Sequence, residues 1–203
     1  MKYIAWYTKD TIYEEIFKSH LEPSLKKYEL DYEAIPMPNY HKWSSNVAQK
    51  PYAILQALKK YKEPIVVLDV DCKITEEPAL FEKIKKDSFD IAFHHLDWET
   101  WYNRPGKTKT KEILTGTMWS NYNETVIKFL EQWAAVTWRS KCADQTTIEP
   151  LIKGEYKDLR VCQLPLEYCY INSMPSGQPP FVKVNHPVIT HFQASRLAKR
   201  GVL

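Results

Sequence analysis

Glycine is scarce in this sequence. Five occur among 203 residues, at Gly106, Gly116, Gly154, Gly177 and Gly201. A phosphate-cradling P-loop needs glycines a few residues apart, as does the G-x-G-x-x-G turn of dinucleotide-binding folds, and neither spacing exists here. Cysteine is also sparse: Cys72, Cys142, Cys162 and Cys169 form no C-x-x-C pair, which argues against a zinc ribbon and a thioredoxin-type motif. A chain of this length buries a sizeable core without disulfides, so the thiols read as reduced and the compartment as cytoplasmic. No apolar run approaches the ~20 residues of a membrane span. The apolar stretch in MKYIAWYTKD is too short for a secretory signal. Neither charge sign dominates. Twenty-eight basic and 25 acidic residues leave a formal +3, which permits an anionic partner without demanding one.

What is present alternates between strand and helix. Tyr3–Tyr7 is a β-rich apolar run. Ile12, Ile16, Phe17, Leu21 and Leu25 follow at helical spacing, with Pro23 as a possible break. Tyr32–Pro36 reads as a short strand. Val47, Ile54, Leu55 and Leu58 predict a second helix, with Pro51 in its early turns. Ile65-Val-Val-Leu68 is continuous and branched, the pattern of a strand buried on both faces. This β-α-β-α-β rhythm predicts an α/β fold with a mixed, mostly parallel, Rossmann-like sheet flanked by helices. Farther on, 79–86 reads as helix and 90–93 as strand. Residues 102–112 read as loop, 116–119 as strand and 188–191 as a last strand. Glu124–Trp138 predicts an amphipathic helix facing inward through Val126, Ile127, Leu130, Trp133 and Ala134, and Asp144–Ile152 a shorter one. With no repeat or linker, 1–203 reads as one domain: a nucleotide-type half to about residue 95 and a more irregular half after it.

Asp69-Val70-Asp71 closes the Ile65–Leu68 run. If the strand continues through it, both carboxylates project to one side, roughly 7 Å apart. They would stand at a carboxyl end, where open α/β sheets bind ligands. Two uncompensated carboxylates repel each other and resist burial, and a divalent cation relieves both. An exposed strand end with two solvated aspartates is the competing reading.

The segment resembles the D-x-D motif of GT-A-fold glycosyltransferases, which use nucleotide-diphosphate sugars. Lys50-Pro-Tyr-Ala-Ile-Leu-Gln-Ala-Leu58 resembles the lysine-bearing helix before that strand, and Leu114-Thr-Gly-Thr-Met-Trp119 the following acceptor-side strand. Ala143-Asp144-Gln145-Thr resembles the D-Q helix start of glycogenin-like and galactosyltransferase-like members. His191-Phe192 resembles the late histidine that completes the metal site. The landmarks follow family order across most of the chain. The resemblance implies Mn²⁺ or Mg²⁺ held by Asp69, Asp71 and His191, and a nucleotide-sugar donor, UDP-linked by preference. Donor contacts would come from Tyr7, Thr8, Lys50, Asp69, Val70 and Asp71, and Asp144 and Gln145 would lie beside the sugar. Carboxylates plus one imidazole suit Mn²⁺ better than an all-oxygen Mg²⁺ shell does.

Trp98, Trp101, Arg104, Lys107, Lys109 and Lys111 combine basic and aromatic side chains. They read either as a solvated loop or as an acceptor lid for a polysaccharide, another glycan or hydroxymethylated bases in DNA. His94 and His95 read mainly as structural or acceptor-side, and His20, His41 and His186 as ordinary loop or helix-surface histidines. Two other functions compete. A haloacid-dehalogenase-like phosphatase would use Asp69 as nucleophile, but Lys73 departs from that motif and no later acidic pair is evident. A non-catalytic nucleotide- or polymer-binding module would keep the fold without turnover.

Overall fold

β1 (Lys2–Thr8) and β3 (Ile65–Asp69) form the parallel centre of a six-stranded sheet in a computed structural model, which describes residues 1–102, 111–172 and 181–194. The remaining strands are β2 (Tyr32–Met37), β5 (Ile91–Asp97), β6 (Lys111–Ser120) and β7 (Val161–Gln163), in the order β2-β1-β3-β6-β5-β7. Only β6 runs against its neighbours, so the sheet is mixed and mostly parallel, as the sequence predicts. Ile65, Val66, Val67 and Leu68 are all buried, which fits their unbroken branched pattern. Pro36 sits in β2 because β2 is an edge strand, where a missing N–H costs no ladder bond. Short strands β4 (Cys72–Ile74), β8 (Tyr170–Ile171) and β9 (Ile189–His191) make a second sheet, β4-β9-β8.

Helices cover both faces of the main sheet. On one, α1 (Ile12–Ile16), a π-helical turn (Phe17–Leu21) and α2 (Glu22–Lys27) run as one continuous segment. Pro23 does not break it, because it stands at the start of α2 directly after the π turn. This segment packs Phe17, Leu21 and Leu25 on β1 and β3 together with Phe81 of α5 (Leu80–Lys86). On the other face lie α4 (Lys50–Tyr61), α7 (Glu124–Ser140) and α8 (Asp144–Lys153). Pro51 falls in the first turn of α4, where its missing N–H is harmless. α7 is capped by Asn123, whose side chain accepts from Val126 N. Its buried face is Val126, Phe129, Leu130, Trp133 and Thr137. Ile127 and Ala134, expected inside, lie at its margins, because the stripe advances by 3.6 residues per turn through 126, 130, 133 and 137.

Three local expectations need correction. Residues 102–112 are not one loop: Tyr102 ends a short helix, α6 (Trp98–Tyr102), and Lys111 begins β6. Lys111 is exposed there, while Arg104, Lys107 and Lys109 lie outside the described residues. Trp101 is no open acceptor platform. It is 2% exposed and packs with Leu96, Leu114, Cys169 and Ile171, edge-on to Tyr170. Trp98 is half-buried, its indole donating to Glu112. Finally, Asp71 is not on a strand: β3 ends at Asp69, and Val70-Asp71 turn the chain into β4. The two-residue alternation that would align both carboxylates therefore does not operate. Among the described residues all four cysteines are free, and no helix is long and apolar enough to cross a membrane.

Candidate active site

The parallel strands β1 and β3 stop at Thr8 and Asp69, and a cleft of about 230 Å³ opens beyond their carboxyl ends. Its floor comes from β1, the β3–β4 turn and the first half of β6. α3 (Trp43–Val47), the start of α8 and the end of β9 form its walls. Tyr7, Thr8, Lys50, Asp69, Val70, Asp71, Asp144, Gln145 and His191 all line it. Residues spread over most of the sequence thus converge where an open α/β sheet binds ligands.

Lys50 organises the centre. It is the first residue of α4, and burial of Ile54, Leu55 and Leu58 on the sheet fixes that helix end. The Lys50 side chain is 3% exposed, with Nζ 2.7 Å from Asp69 Oδ1 and 3.3 Å from Asp144 Oδ2. It also donates to Thr115 Oγ1 at 3.3 Å, and Thr115 donates to Asp144 Oδ2 at 2.5 Å. Burial alone would lower the affinity of this ammonium for its proton. The charges of Asp144 and Asp69 outweigh burial and hold the pKa above its usual value. One buried cation therefore joins two carboxylates from β3 and α8. Asp144 is the first residue of α8 and not its cap, which is Ala143. Its carboxylate turns inward to Lys50 and Thr115.

Asp71 faces a different set of partners. Its Oδ2 accepts from Ala194 N at 2.8 Å and its carbonyl from Phe192 N at 2.8 Å, tying the turn to the chain after β9. Burial, then the charge of Asp69, pushes its carboxyl above the usual range. His191 pairs in register with Cys72 on β4, and its Nε2 lies 2.9 Å from Thr117 Oγ1. Burial lowers its imidazole to about 4, so the ring is neutral. A Cβ on Gly116 would stand 3.0 Å from His191 Nδ1 and 3.3 Å from Asp69 Oδ2. The absent side chain leaves a gap that both atoms border.

That gap is the test of fit for a metal. Among the described residues, no three His, Cys, Asp or Glu side chains gather closely enough to hold an ion alone. Asp69 and His191 do border one space, and in the tautomer that donates Nε2–H to Thr117 Oγ1 the neutral ring presents its Nδ1 lone pair there. One imidazole and one carboxylate suit a cation that takes its remaining ligands from substrate phosphates and water. The residues fit a metal that arrives with a diphosphate.

Several cleft residues were not singled out from sequence. Tyr13 of α1 reaches the cleft because Thr11 caps that helix and donates to Thr8 O at 2.6 Å, fastening it to the end of β1. Burial and then the charges of Asp71 and Asp69 raise its phenol, so the ring stands near both carboxylates. Its place directly after the first strand was the available signal. Asn46, Thr115 and Gly116 also line the cleft. Gly116 lay within a recognised strand, while nothing local marks Asn46.

No protein-family model and no curated protein sequence matches the chain. Solved structures do. One is a glycosyltransferase involved in glycosylation of the major capsid of PBCV-1, with 14% identity, 98% of this chain and 96% of that one covered, and a TM-score of 0.66. Another is mouse xyloside xylosyltransferase 1 in its apo form, with 12% identity, 97% and 99% covered, and a TM-score of 0.53. A third is the galactosyltransferase LgtC in complex with donor and acceptor sugar analogues, with 9% identity, 95% and 87% covered, and a TM-score of 0.54. The fold is therefore that of the GT-A-like glycosyltransferases.

Proposed function

We propose that the cleft binds a nucleotide-diphosphate sugar, UDP-linked by preference, and that the protein transfers its glycosyl group to a hydroxyl of a glycan acceptor. The observation that carries this reading is the Lys50–Asp69–Asp144 cluster at the carboxyl ends of β1 and β3, within a GT-A-like fold. Tyr7 and Tyr13 offer aromatic surface to the base. Tyr7 already stacks on Phe17, with centroids 6.1 Å apart, which fixes its ring. Thr8 and Val70 line the floor beneath the ribose.

Asp69 and His191 would hold Mn²⁺ or Mg²⁺ together with the diphosphate, Asp71 supporting them from the turn. When bound, the ion neutralises charge on the departing nucleoside diphosphate. Lys50 adds a fixed positive charge beside the same region, already paid for in the folded state, where low dielectric strengthens it. Asp144 lies 3.3 Å from Lys50 Nζ and lines the cleft, where it can accept a hydrogen bond from a sugar or acceptor hydroxyl. In an inverting reaction it is the candidate general base. Gln145 contributes a neutral donor and acceptor beside it.

The phosphatase reading is weaker, because the fold the chain shares is the GT-A-like one. The test is release of nucleoside diphosphate from a panel of nucleotide sugars, with Mn²⁺ or EDTA. Metal-dependent release from one donor supports the proposal. Cleavage of p-nitrophenyl phosphate with every nucleotide sugar left intact would overturn it.

A further inference from the structure

An aromatic surface beside the cleft has no role in the donor site. Tyr40, before α3, packs against Trp138 near the end of α7, with centroids 5.3 Å apart, and Lys141 Nζ lies over the Trp138 ring. Tyr40 remains 47% exposed and Trp138 40%. Single exposed aromatics are ordinary, but two in contact form a patch that the fold leaves partly open to solvent.

The patch is also built. Asn46 Oδ1 accepts from Tyr40 N, Asn39 Oδ1 accepts from His41 N and from Asn46 Nδ2, and Gln49 Nε2 donates to Pro38 O. His41 and Lys141 both adopt left-handed backbone, at φ 55° and 50°, which costs non-glycine residues energy. These bonds hold Tyr40 outward on an ordered loop.

We propose that Tyr40 and Trp138 form the platform on which an anionic saccharide acceptor, such as a uronic-acid-containing chain, stacks beside the donor. This rests on the glycosyltransferase reading above and names the acceptor class for it. Continuity is the first argument. Asn46, which anchors Tyr40, also lines the cleft, and Lys141 is three residues from Asp144, at most about 10 Å along the chain. Charge is the second. Lys141 lies over Trp138, Lys42 stands two residues after Tyr40 and Arg139 directly follows Trp138, and none of the three forms an ion pair among the described residues. The acid two turns back on α7, Glu131, is already paired with Lys59 at 2.6 Å. A pyranose presents an apolar C–H face to an aromatic ring and its carboxylate to a lysine or arginine. Three cations are too few to track a nucleic-acid backbone, which engages six or more phosphates in typical sites.

The experiment titrates a galacturonic acid tetrasaccharide, maltotetraose, a single-stranded oligonucleotide and UDP with Mn²⁺ into the parent, Tyr40→Ala, Trp138→Ala and Arg139→Gln. The uronate tetrasaccharide should bind the parent and outcompete maltotetraose. Each aromatic variant should weaken it roughly tenfold, a loss in the range of one stacking contact. Arg139→Gln should flatten its salt dependence, and UDP binding should persist throughout. Uronate affinity unchanged in both aromatic variants overturns the platform, as does equal binding of maltotetraose. Tighter binding of the oligonucleotide, or a dimer that Tyr40→Ala dissolves, also overturns it by supplying another occupant. UDP binding with no saccharide binding at millimolar concentration sinks the platform and spares the donor site. Aromatic-dependent uronate binding without UDP binding does the reverse.

Discussion

Replacing Lys50 by Met removes the only charge that the described residues set between Asp69 and Asp144. Methionine preserves most of the volume, so the cost is electrostatic. Removing one partner of a buried ion pair costs about 3–5 kcal/mol. Asp144 is only 12% exposed, but Asp69 is 34% exposed and regains water, so the low end, about 3 kcal/mol, applies. At this chain length 1 kcal/mol moves the Tm by roughly 2–4 °C, which gives a fall of roughly 6–12 °C. Calorimetry on parent, Lys50→Met, Asp144→Asn and the double variant measures it. The double variant should melt above Lys50→Met, because the stranded carboxylate is gone. The coupling should lie within the ~0.5–3 kcal/mol of residues sharing one network. A Lys50→Met protein melting within about 2 °C of the parent, or a double variant no better than the single, would refute the role assigned to this lysine.

Gly116→Ala would bring a methyl carbon to 2.8 Å from His191 Cε1. It should abolish metal-dependent nucleotide binding in a titration and lower stability by about 1–3 kcal/mol; undiminished binding would show that the gap is not used. Trp101→Ala should cost about 3–5 kcal/mol by urea unfolding as a core truncation. A soluble, equally stable variant would contradict its burial. His94 is held below the usual imidazole range by burial, with Nδ1 2.8 Å from Leu164 O. A depressed folded pKa means the unfolded chain takes the proton first, so its stabilisation is full above about pH 6.5 and is lost as pH falls through that value. His94→Asn should make stability less pH-dependent between pH 7.5 and 5.5, by at most about 1.4 kcal/mol per pH unit. Identical slopes for the two proteins would remove His94 from the account.

The central strands were legible because burial on both faces leaves a continuous branched run, as at Ile65–Leu68. Nucleating prolines were legible too: Pro51 stands where a helix start tolerates it. Of the second sheet only β9 was read, as 188–191. β4 and β8 have three and two residues, too few for any period to register, and the sheet joins segments from far apart in the chain. This failure reaches the site. Asp71 was read along a strand, but hydrogen bonds from Phe192 and Ala194 bend it into a turn, and partners so distant in sequence leave no local trace. Lys50 was read as a donor contact on a lysine-bearing helix. That it is buried between two carboxylates depends on α4, β3 and α8 meeting. Trp101 misled because aromatic residues next to basic ones read alike whether they face solvent or core.

A melting titration with nucleoside diphosphate and Mn²⁺ tests the central claim most directly. A ligand at 100 times its dissociation constant stabilises by about 2.7 kcal/mol, or roughly 5–10 °C at this size. The parent should show that rise with one nucleoside diphosphate, lose it in EDTA, and lose it in Asp69→Asn. No rise with any nucleoside diphosphate at millimolar concentration, or the same rise in EDTA, would contradict a metal-assisted nucleotide-sugar site between Asp69 and His191.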